Sequence, residues 1–400
     1  NGKRNIQRII RLRENDMKKI YILGNIANIS AGQGAPQKES DFSDVGNPFI
    51  RAGNLAKLIE GYSEYDVCDL INDDTAKRYG LRLYPKDTIV FAKSGKSTSK
   101  GYVHILSREC YIVNHLACIN IYNNDSSYMK YYFMYHKPNK LIKDEAYPSI
   151  SLADIRDMKI NIHDIQTQKE IVAVLDKVTS LISMRKEQIG KLDVLVKSKF
   201  IEMFGDPVLN PKGWEKKKLG EVCDVRDGTH DSPKFRFTGY PLITSKNIVN
   251  NQLVLDKVNY ISRDDYDKIN KRSKVYKGDI LLPMIGTIGN PVVINIEPDF
   301  AIKNVALIKF NNPNITNTYI YNILTSNYIE YVKNILSRGG TQKFIALGDI
   351  RKLIVPIPPL DLQNQFAEFV EQVEKNREKI KSSLNQLETL YNALMQEYFG

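Results

Sequence analysis

Hydrophobic residues follow two different patterns along this chain. In residues 17–165 and 206–360 they form short β-branched and aromatic runs, such as 88–91 and 279–282, which Gly, Pro, Asn and Asp separate. Such runs predict strands joined by turns, with a few short helices. Residues 166–205 and 361–400 contain no proline and almost no glycine. Their apolar residues recur in steps of three and four, which predicts one long helix in each segment. The predicted fold class is therefore α+β.

The steps of three and four place one apolar seam along each predicted helix, in the same register. A sustained repeat of this kind is typical of a coiled coil. A helix of roughly 36 residues would be about 54 Å long, more than one domain of this size would cover. Docking of each long helix on its own globular domain is the alternative. Arg185 and Arg377 also occupy seam positions, where they could set the register or face a partner subunit. The apolar seam residues are Leu175, Val178, Ile182, Ile189, Leu192, Val196, Val370, Val373, Ile380, Leu384, Leu387 and Leu394.

The chain also repeats itself. Residues 150–156 recur 195 positions later as 345–351, and the same offset relates Gln168 to Gln363 and 204–205 to 399–400. Earlier matching segments lie 192 to 196 residues apart, as expected when loops differ in length on a shared scaffold. The sequence therefore predicts two copies of one unit, and residues 1–16 have no clear copy.

These patterns predict an N-terminal extension at 1–16, globular domains at 17–165 and 206–360, and long helices at 166–205 and 361–400. Because the second domain follows the first helix directly, the second helix begins at the far end of the first and can pair with it only by running back. We therefore predict two similar domains separated by an antiparallel two-helix coiled coil, with an approximate two-fold axis. Thr167 and Glu170 predict a capping box for the first helix, and Asp361 predicts the N-cap of the second.

Composition adds a partner class and a cellular location. Lys and Arg outnumber Asp and Glu by 57 to 46, a formal net charge of +11. This excess favours a polyanion, with nucleic acid as the leading candidate, although a coding sequence rich in A and T would also produce it. No stretch is apolar enough for a membrane helix or a signal peptide, so we expect a soluble, cytoplasmic protein. The cysteines lack zinc-ligand spacing and predict buried reduced thiols; they are Cys68, Cys110, Cys118 and Cys223.

Two related domains held apart by a helical spacer suit the recognition of two separated pieces of one DNA duplex. On one face of B-DNA, equivalent contacts recur about 34 Å apart. Because the domains are similar but not identical, the predicted target is bipartite and asymmetric, with a spacer set by the helices.

Several stretches resemble the specificity subunit of type I restriction-modification systems, over about 17–400. They are 219–222 leading to 227–230, 243–248, 278–281, 286–289, and 348–350 running into 355–360; the first copy lacks the Gly-Thr-His segment and the Pro-Pro pair. The resemblance implies two target recognition domains and no catalytic site. It implies double-stranded DNA, two methyltransferase subunits and motor-nuclease restriction subunits as partners. It also implies that this chain binds no cofactor, with S-adenosylmethionine, ATP and Mg²⁺ expected in the partner subunits.

Polar residues of glycine-containing loops are the candidate DNA contacts. Such loops allow close approach to phosphates, and Arg, Lys, Asn and Gln match the donor geometry of base edges. An ordinary solvated side chain is the alternative for each one. In the first domain the candidates are Arg51, Asn54, Lys93, Lys96, Ser97, Lys100, Tyr147 and Ser149. In the second they are His230, Lys234, Ser245, Lys246, Asn247, Thr287, Thr341, Gln342 and Lys343.

Other interpretations of these segments are weaker. Residues 95–97 resemble the end of a P-loop, but Val90 stands where its first glycine is expected. Residues 46–49 resemble an amino-methyltransferase motif without its second proline. Two alternative functions remain: a stand-alone DNA-acting enzyme, such as a nuclease with two recognition domains, and a coiled-coil scaffold for protein interactions.

Overall fold

The computed structural model describes residues 18–284, 289–328, 331 and 344–400. By its contacts the chain divides into two compact units. Unit 1 contains the described residues up to Met184 together with Leu384–Gly400, and unit 2 contains those of Arg185–Ser383. The division crosses both long helices, so each unit contains one part of each helix.

Unit 1 combines short strands with short helices. Its strands are β1 (Lys19–Ile22), β2 (Ala27–Ala31), β3 (Asn47–Ile50), β4 (Asp69–Ile71), β5 (Ile89–Ala92), β6 (Val103–Ile105), β7 (Tyr111–Ile112), β8 (Leu116–Ile121) and β9 (Lys159–Ile162). Its helices are α1 (Leu23–Ile26), α2 (Leu55–Ile59), α3 (Glu64–Val67), α4 (Asp73–Tyr79), α5 (Ser126–His136) and α6 (Leu152–Arg156), followed by the first part of the long helix α7 (Ile165–Phe204).

The main sheet of unit 1 is antiparallel, with the spatial order β2-β8-β5-β6, and a second sheet has the order β4-β3-β7. Strands β3 and β7 are parallel. All four residues of β5 are buried. Because successive residues of a strand face opposite sides, Ile89 and Phe91 pack in a core with α5 and the long helices, while Val90 and Ala92 pack in a core with the second sheet. The main sheet is therefore covered on both faces.

Unit 2 is built in the same way. Its strands are β10 (Glu215–Lys218), β11 (Asp224–Asp227), β12 (Tyr240–Ile243), β13 (Ile248–Val249), β14 (Gln252–Leu253), β15 (Asn259–Ile261), β16 (Ile280–Pro283), β17 (Val292–Val293), β18 (Ala301–Ile302), β19 (Val305–Lys309) and β20 (Ile354–Ile357). Its helices are α8 (Leu219–Val222), α9 (Arg263–Ser273), α10 (Asn317–Leu324) and α11 (Leu347–Arg351), followed by the long helix α12 (Leu360–Phe399).

The sheets of unit 2 repeat those of unit 1 strand for strand. The main sheet has the order β11-β19-β16-β17, the second sheet β15-β12-β18, and β10 pairs with β20 as β1 pairs with β9. The connection after the third strand differs: unit 1 has helices α2 and α3 there, and unit 2 has the hairpin β13-β14. Two similar domains of mixed strands and short helices, joined through long helices, confirm the predicted fold class.

The two long helices run antiparallel within unit 2. The ring centroids of Phe200 and Phe204 lie 5.5 and 5.4 Å from that of Phe366. Farther along, Arg377 forms an ion pair with Asp193 across the helices at 2.8 Å. Residue numbers thus rise on one helix as they fall on the other. Each apolar residue of the predicted seam is buried or half-buried.

The start of α7 differs from the prediction. Oδ1 of Asp164 accepts hydrogen bonds from the backbone N–H groups of Gln166 (2.9 Å) and Thr167 (3.2 Å), and Oγ1 of Thr167 donates to Oδ2 of Asp164 (2.7 Å). These hydrogen bonds, led by that of the Thr167 side chain, lower the pKa of Asp164. The capping box predicted at Thr167 and Glu170 is wrong, because a carboxylate satisfies the free N–H groups one residue before the helix begins.

The start of α12 is also earlier than predicted. The helix begins at Leu360, so Asp361 lies in its first turn and the predicted N-cap is wrong. An aspartate in the first turn still stabilises a helix, because it lies near the positive end of the helix dipole.

Two buried glutamines tie the long helices to the domains, one in each unit. Gln168 is fully buried; its Oε1 accepts from the N–H of Asp125, and its Nε2 donates to the carbonyl of His163. Gln363 is fully buried too and makes the same pair of contacts with Thr316 and Pro358. The 195-residue offset between these glutamines therefore reflects one repeated attachment.

The four cysteines are free and buried, as predicted. Burial raises the pKa of Cys118 to about 12 and that of Cys223 to about 12, so both remain protonated thiols at neutral pH.

Candidate nucleic-acid interface

One edge of the main sheet in unit 2 collects the connections that carry the predicted contacts. At this edge β11 ends, β19 begins and β16 ends, because Asp227 pairs with Ala306 and Pro283 pairs with Val305. The end of β12 joins them, since the N–H of Lys303 donates to the carbonyl of Ile243 at 2.8 Å. We call residues 228–232, 244–247 and 303–304 the loop edge of unit 2.

Unit 1 has a loop edge at the equivalent place. The N–H of Val113 donates to the carbonyl of Ile50 (3.0 Å), and the N–H of Ile150 donates to the carbonyl of Lys93 (2.7 Å). The loop edge of unit 1 comprises residues 32–34, 51–54, 93–101, 113–115 and 147–149. The two segments predicted independently at 93–100 and 147–149 therefore lie side by side.

A glycine at the same position permits this arrangement in both units. A Cβ atom on Gly32 would lie 2.2 Å from the carbonyl oxygen of Ile112, and one on Gly228 would lie 2.4 Å from that of Ile302. Neither distance is compatible with a side chain, so both positions require glycine.

The residues after these glycines make matching backbone hydrogen bonds. The N–H of Gln33 donates to Ile112 and the N–H of Thr229 donates to Ile302, at 2.8 and 2.9 Å. The first copy lacks the Gly-Thr-His sequence, but it keeps the backbone turn that this segment forms in the second copy. Residues 32–34 follow the same path with different side chains, because backbone hydrogen bonds do not depend on side-chain identity.

The side chains of the unit 2 loop edge form a polar cluster. His230 lies with Nε2 2.7 Å from Oδ2 of Asp227 and Nδ1 2.8 Å from Oδ1 of Asn304. Arg272, from α9, forms an ion pair with the other oxygen of Asp227 at 2.8 Å. Lys303 donates from Nζ to Oγ of Ser232 at 2.7 Å. The cluster thus holds the side chains of His230, Arg272 and Lys303 in a fixed arrangement.

A cleft of about 580 Å³ opens between this cluster and helix α9. Lys268, Arg272 and His230 line it together with Asp231 and Asp265. Basic and acidic groups both line the cleft, so it has no single sign of charge.

The loop edge of unit 1 is dominated by one basic loop. Lys96 and Lys100 are exposed and Lys93 is half-buried. The N–H of Gly95 donates to the carbonyl of Pro148 at 3.0 Å, which fixes the middle of the loop. Such a group of lysines can bind phosphates without selecting a base.

Three further members of this edge are polar or aromatic. Ser97 is half-buried, Tyr147 is 81% exposed, and Ser149 forms a β-bridge with Ser94. Oγ of Ser94 in turn lies 2.7 Å from Nδ1 of His115. The bridge aligns the two segments, so Tyr147 projects next to the lysine loop.

Two of the predicted contacts have structural roles. Oδ1 of Asn54 accepts from the N–H of Arg51 (2.7 Å), and its Nδ2 donates to the carbonyl of Val67. Oδ1 of Asn247 accepts from the N–H of Thr244 (3.0 Å), and its Nδ2 donates to the carbonyl of Lys257 (3.1 Å). The structure therefore favours a turn-stabilising role for both amides, in matching positions of the repeat.

The other predicted contacts differ in their exposure to solvent and in their bonding partners. Arg51 forms an ion pair with Asp69 at 2.6 Å, and its guanidinium lies over the ring of Phe42. Ser245 is half-buried, and Lys234 and Lys246 are exposed. Thr287, Thr341, Gln342 and Lys343 lie outside the described residues. The flanking residues Met284 and Ile345 are hydrogen-bonded to each other at the loop edge of unit 2.

Sequence reasoning missed several residues in or beside the two loop edges. They are Gln33 and His115 in unit 1, and Arg272, Lys303 and Asn304 in unit 2. Matching Asn114 with Asn304 in the repeat could have located His115 and Asn304. Both asparagines follow the strand that lies next to the glycine turn. Arg272 could not have been found this way, since it reaches the edge from a helix distant in sequence.

The His, Cys, Asp and Glu side chains of the described residues form no group of three or more that could hold a metal ion. None of the helices in the described ranges is long and apolar enough to cross a membrane.

Comparison with known proteins identifies the repeated unit. Residues 15–193 and 211–389 each match the family described as type I restriction modification DNA specificity domain. The chain is 23% identical over 394 residues to the MjaIX specificity subunit of a type I restriction enzyme from Methanocaldococcus jannaschii, over 89% of this chain and 86% of that one. It is 22% identical over 414 residues to the EcoBI specificity subunit from Escherichia coli, over 94% and 83%.

A solved structure shares the fold. The S subunit of a type I restriction-modification system from M. genitalium superposes with a TM-score of 0.58 at 14% identity, over 96% of this chain and 97% of that one. Two copies of a DNA specificity domain thus account for most of the chain, in agreement with the repeated sheets.

Proposed function

We propose, from the premise that this chain belongs to the family of type I restriction modification DNA specificity domains, that its two loop edges bind the two halves of a bipartite, asymmetric DNA site. Each unit contacts one half-site. The chain itself acts as a DNA-specificity subunit and not as a catalyst.

The observation that carries this proposal is the shared construction of the two loop edges. In both units, three features meet at one edge of the main sheet. They are the glycine turn, the end of the third strand (β3 or β12) and the end of the central strand (β5 or β16). The side chains differ, with a lysine loop in unit 1 and the cluster of His230, Arg272 and Lys303 in unit 2. A common frame with different donors suits two different half-sites, because phosphate contacts position a protein and base-edge contacts specify the sequence.

The partners follow from the same family membership. We propose that the chain assembles with two methyltransferase subunits and, in a restriction complex, with motor-nuclease subunits. S-adenosylmethionine, ATP and Mg²⁺ belong to those subunits, and the complex works in the cytoplasm. The names of the relatives, which are specificity subunits of type I restriction enzymes, support this assignment.

Selection of bound duplexes from a random library by the full chain tests the proposal. We expect two short sequence blocks at a constant spacing, and affinity that falls steeply with salt because counterions are released on binding. A single block, or no enrichment, would contradict the proposal. Incubation of the chain alone with DNA and Mg²⁺ tests the nuclease alternative, and cleavage without partners would refute the non-catalytic role.

The scaffold alternative predicts a different result in the same assay. A coiled-coil scaffold would not bind DNA sequence-specifically, although its partner subunits would still assemble on it. Co-purification of partner subunits without any enriched DNA sequence would therefore favour the scaffold.

A further inference from the structure

The hairpin β13-β14 occurs in unit 2, where unit 1 has helices α2 and α3. Its turn consists of Asn250 and Asn251, whose φ angles are 50° and 60°. Two consecutive left-handed residues define a tight two-residue turn that matches the twist of a hairpin, and asparagine tolerates this conformation. The tip of the hairpin therefore has a defined backbone.

The hairpin has one buried and one exposed face. Ile248 pairs with Leu253, and both pack in a core of unit 2. Val249 pairs with Gln252; Val249 is 46% exposed, and Gln252 is exposed as well. Directly paired residues of antiparallel strands project on the same side. An apolar and an amide side chain therefore stand next to each other on the outer face.

Hydrogen bonds fix the hairpin at the loop edge of unit 2. At its base, the N–H of Val254 donates to the carbonyl of Asn247 at 2.8 Å. At its tip, Nδ2 of Asn251 donates to the carbonyl of Pro291 at 2.9 Å. Pro291 directly precedes β17, which pairs with β16, and β16 ends at the loop edge. The exposed Lys246 lies just before the hairpin.

We propose that this hairpin enters the major groove of the half-site bound by unit 2, where Gln252 and Val249 together recognise an A·T base pair. The inference rests on the proposed function. A two-stranded ribbon fits the major groove, a glutamine amide pairs with N6 and N7 of adenine, and an apolar side chain packs against the thymine methyl group. Adenine and thymine of one pair present these two features side by side in that groove, and Lys246 supplies a phosphate contact beside them.

The test uses the full chain and duplexes that carry its selected site. Gln252→Ala should lower the preference for adenine at one position of the unit 2 block about 10-fold, and Gln252→Glu should shift that preference to cytosine, whose N4 amino group donates to a carboxylate. Replacing that adenine by 7-deazaadenine should weaken binding by the wild type and leave binding by Gln252→Ala unchanged.

Val249 has its own matched pair of changes. Replacing the thymine of the same pair by uracil removes its methyl group and should weaken wild-type binding several-fold, with no further loss in Val249→Ala. Gln37→Ala, which removes an exposed amide of unit 1, is the control and should leave the unit 2 block unchanged.

The outcomes separate this inference from the proposed function. If the wild type selects two blocks but the Gln252 and Val249 variants keep every base preference, the hairpin does not read the site and only this inference fails. If the variants lose partner binding instead of base preference, the hairpin is a protein contact and the inference is overturned. If the wild type selects no sequence, the proposed function fails.

Discussion

The two units solve one packing problem with different chemistry. In unit 2, Asp279 and Lys309 form an ion pair at 2.6 Å at one end of strands β16 and β19, with side chains 8% and 7% exposed. In unit 1 the equivalent positions hold Thr88 and Asn120, whose side chains are hydrogen-bonded at 2.6 Å. Asp279 and Thr88 directly precede strands β16 and β5. Lys309 and Asn120 directly follow the isoleucines of β19 and β8 that pair with the first residues of those strands. The position therefore requires two polar groups that satisfy each other, and charge is optional.

The connection after the third strand shows the opposite behaviour. Both units begin it with the same asparagine turn, at Asn54 and Asn247. Beyond the turn, one unit forms helices and the other a hairpin, so the backbone itself differs. Positions that hold the sheets together tolerate a change of side chain, whereas segments outside the sheets tolerate a change of fold. We expect sequence discrimination to reside in the second kind.

The largest expected effect comes from breaking the buried ion pair. Lys309→Ala leaves Asp279 without its cation and should lower the free energy of unfolding of unit 2 by about 3–5 kcal/mol. The double variant Asp279→Thr with Lys309→Asn copies the unit 1 pair and should cost much less than either single change. Trp214, the single tryptophan of the chain, lies in unit 2 and reports its urea unfolding by fluorescence.

Thr88→Ala in unit 1 is the control, because it should leave the tryptophan transition in place. A double variant as unstable as Lys309→Ala would show that the two units do not share this position.

Glu64 should make unit 1 sensitive to acid. Burial by itself would raise the pKa of Glu64, but hydrogen bonds from His104 and Ser107 outweigh it and lower the pKa to about 2. Because the folded pKa lies below the ordinary value of 4.5, the stabilisation is complete above pH 4.5 and disappears as pH falls toward 2. Near pH 6, the free energy of unfolding of the wild type should exceed that of Glu64→Gln by up to about 3 kcal/mol.

That difference should close as the pH approaches 2. Hydrogen exchange of the amides in 64–107, measured against pH, follows unit 1 directly. A difference between wild type and Glu64→Gln that stays constant from pH 6 to pH 2.5 would contradict the expected titration.

The buried glutamines should matter equally in the two units. Gln168→Ala and Gln363→Ala each leave buried backbone groups without partners, at a cost of about 1–3 kcal/mol. Thermal unfolding of the two variants checks the equality. Gln365→Ala, an exposed residue on the same helix as Gln363, should change stability little. If one buried glutamine proves dispensable, the two attachments are not equivalent.

The smallest effect on stability, and a selective effect on binding, should follow from the basic loop of unit 1. Replacing Lys93, Lys96 and Lys100 by alanine should leave unfolding unchanged and reduce the slope of log affinity against log salt by about 2–3. Base preferences of the unit 2 block should remain.

Lys212, Lys216 and Lys218 provide the control for this variant, because all three are exposed and lie outside both loop edges. An identical loss of salt dependence in the control would mean that the effect arises from net charge and not from a specific surface.

Some features of this protein can be predicted from neighbouring residues, whereas others depend on contacts between segments that are distant in sequence. The heptad pattern located both long helices, because an apolar period is visible within a few turns. The cap motifs at Thr167 with Glu170 and at Asp361 placed both helix starts wrongly, since a helix start depends on which side chain reaches the free N–H groups. Among the described residues, the segments 93–100 and 147–149 meet at one edge of unit 1, and 228–232 and 244–247 meet at one edge of unit 2. Asn54 and Asn247 stabilise turns, which their residue type alone does not reveal.

By itself, the sequence determined the duplication, the two long helices, the α+β class and the family, because these depend on periodicity and on similarity between segments of one chain. Only the tertiary structure decided which loops share an edge, that residues 32–34 replace the Gly-Thr-His turn, and that the hairpin presents Val249 and Gln252 together. Those features depend on contacts between residues far apart in sequence, and a side chain's role is set by the partners that folding brings to it.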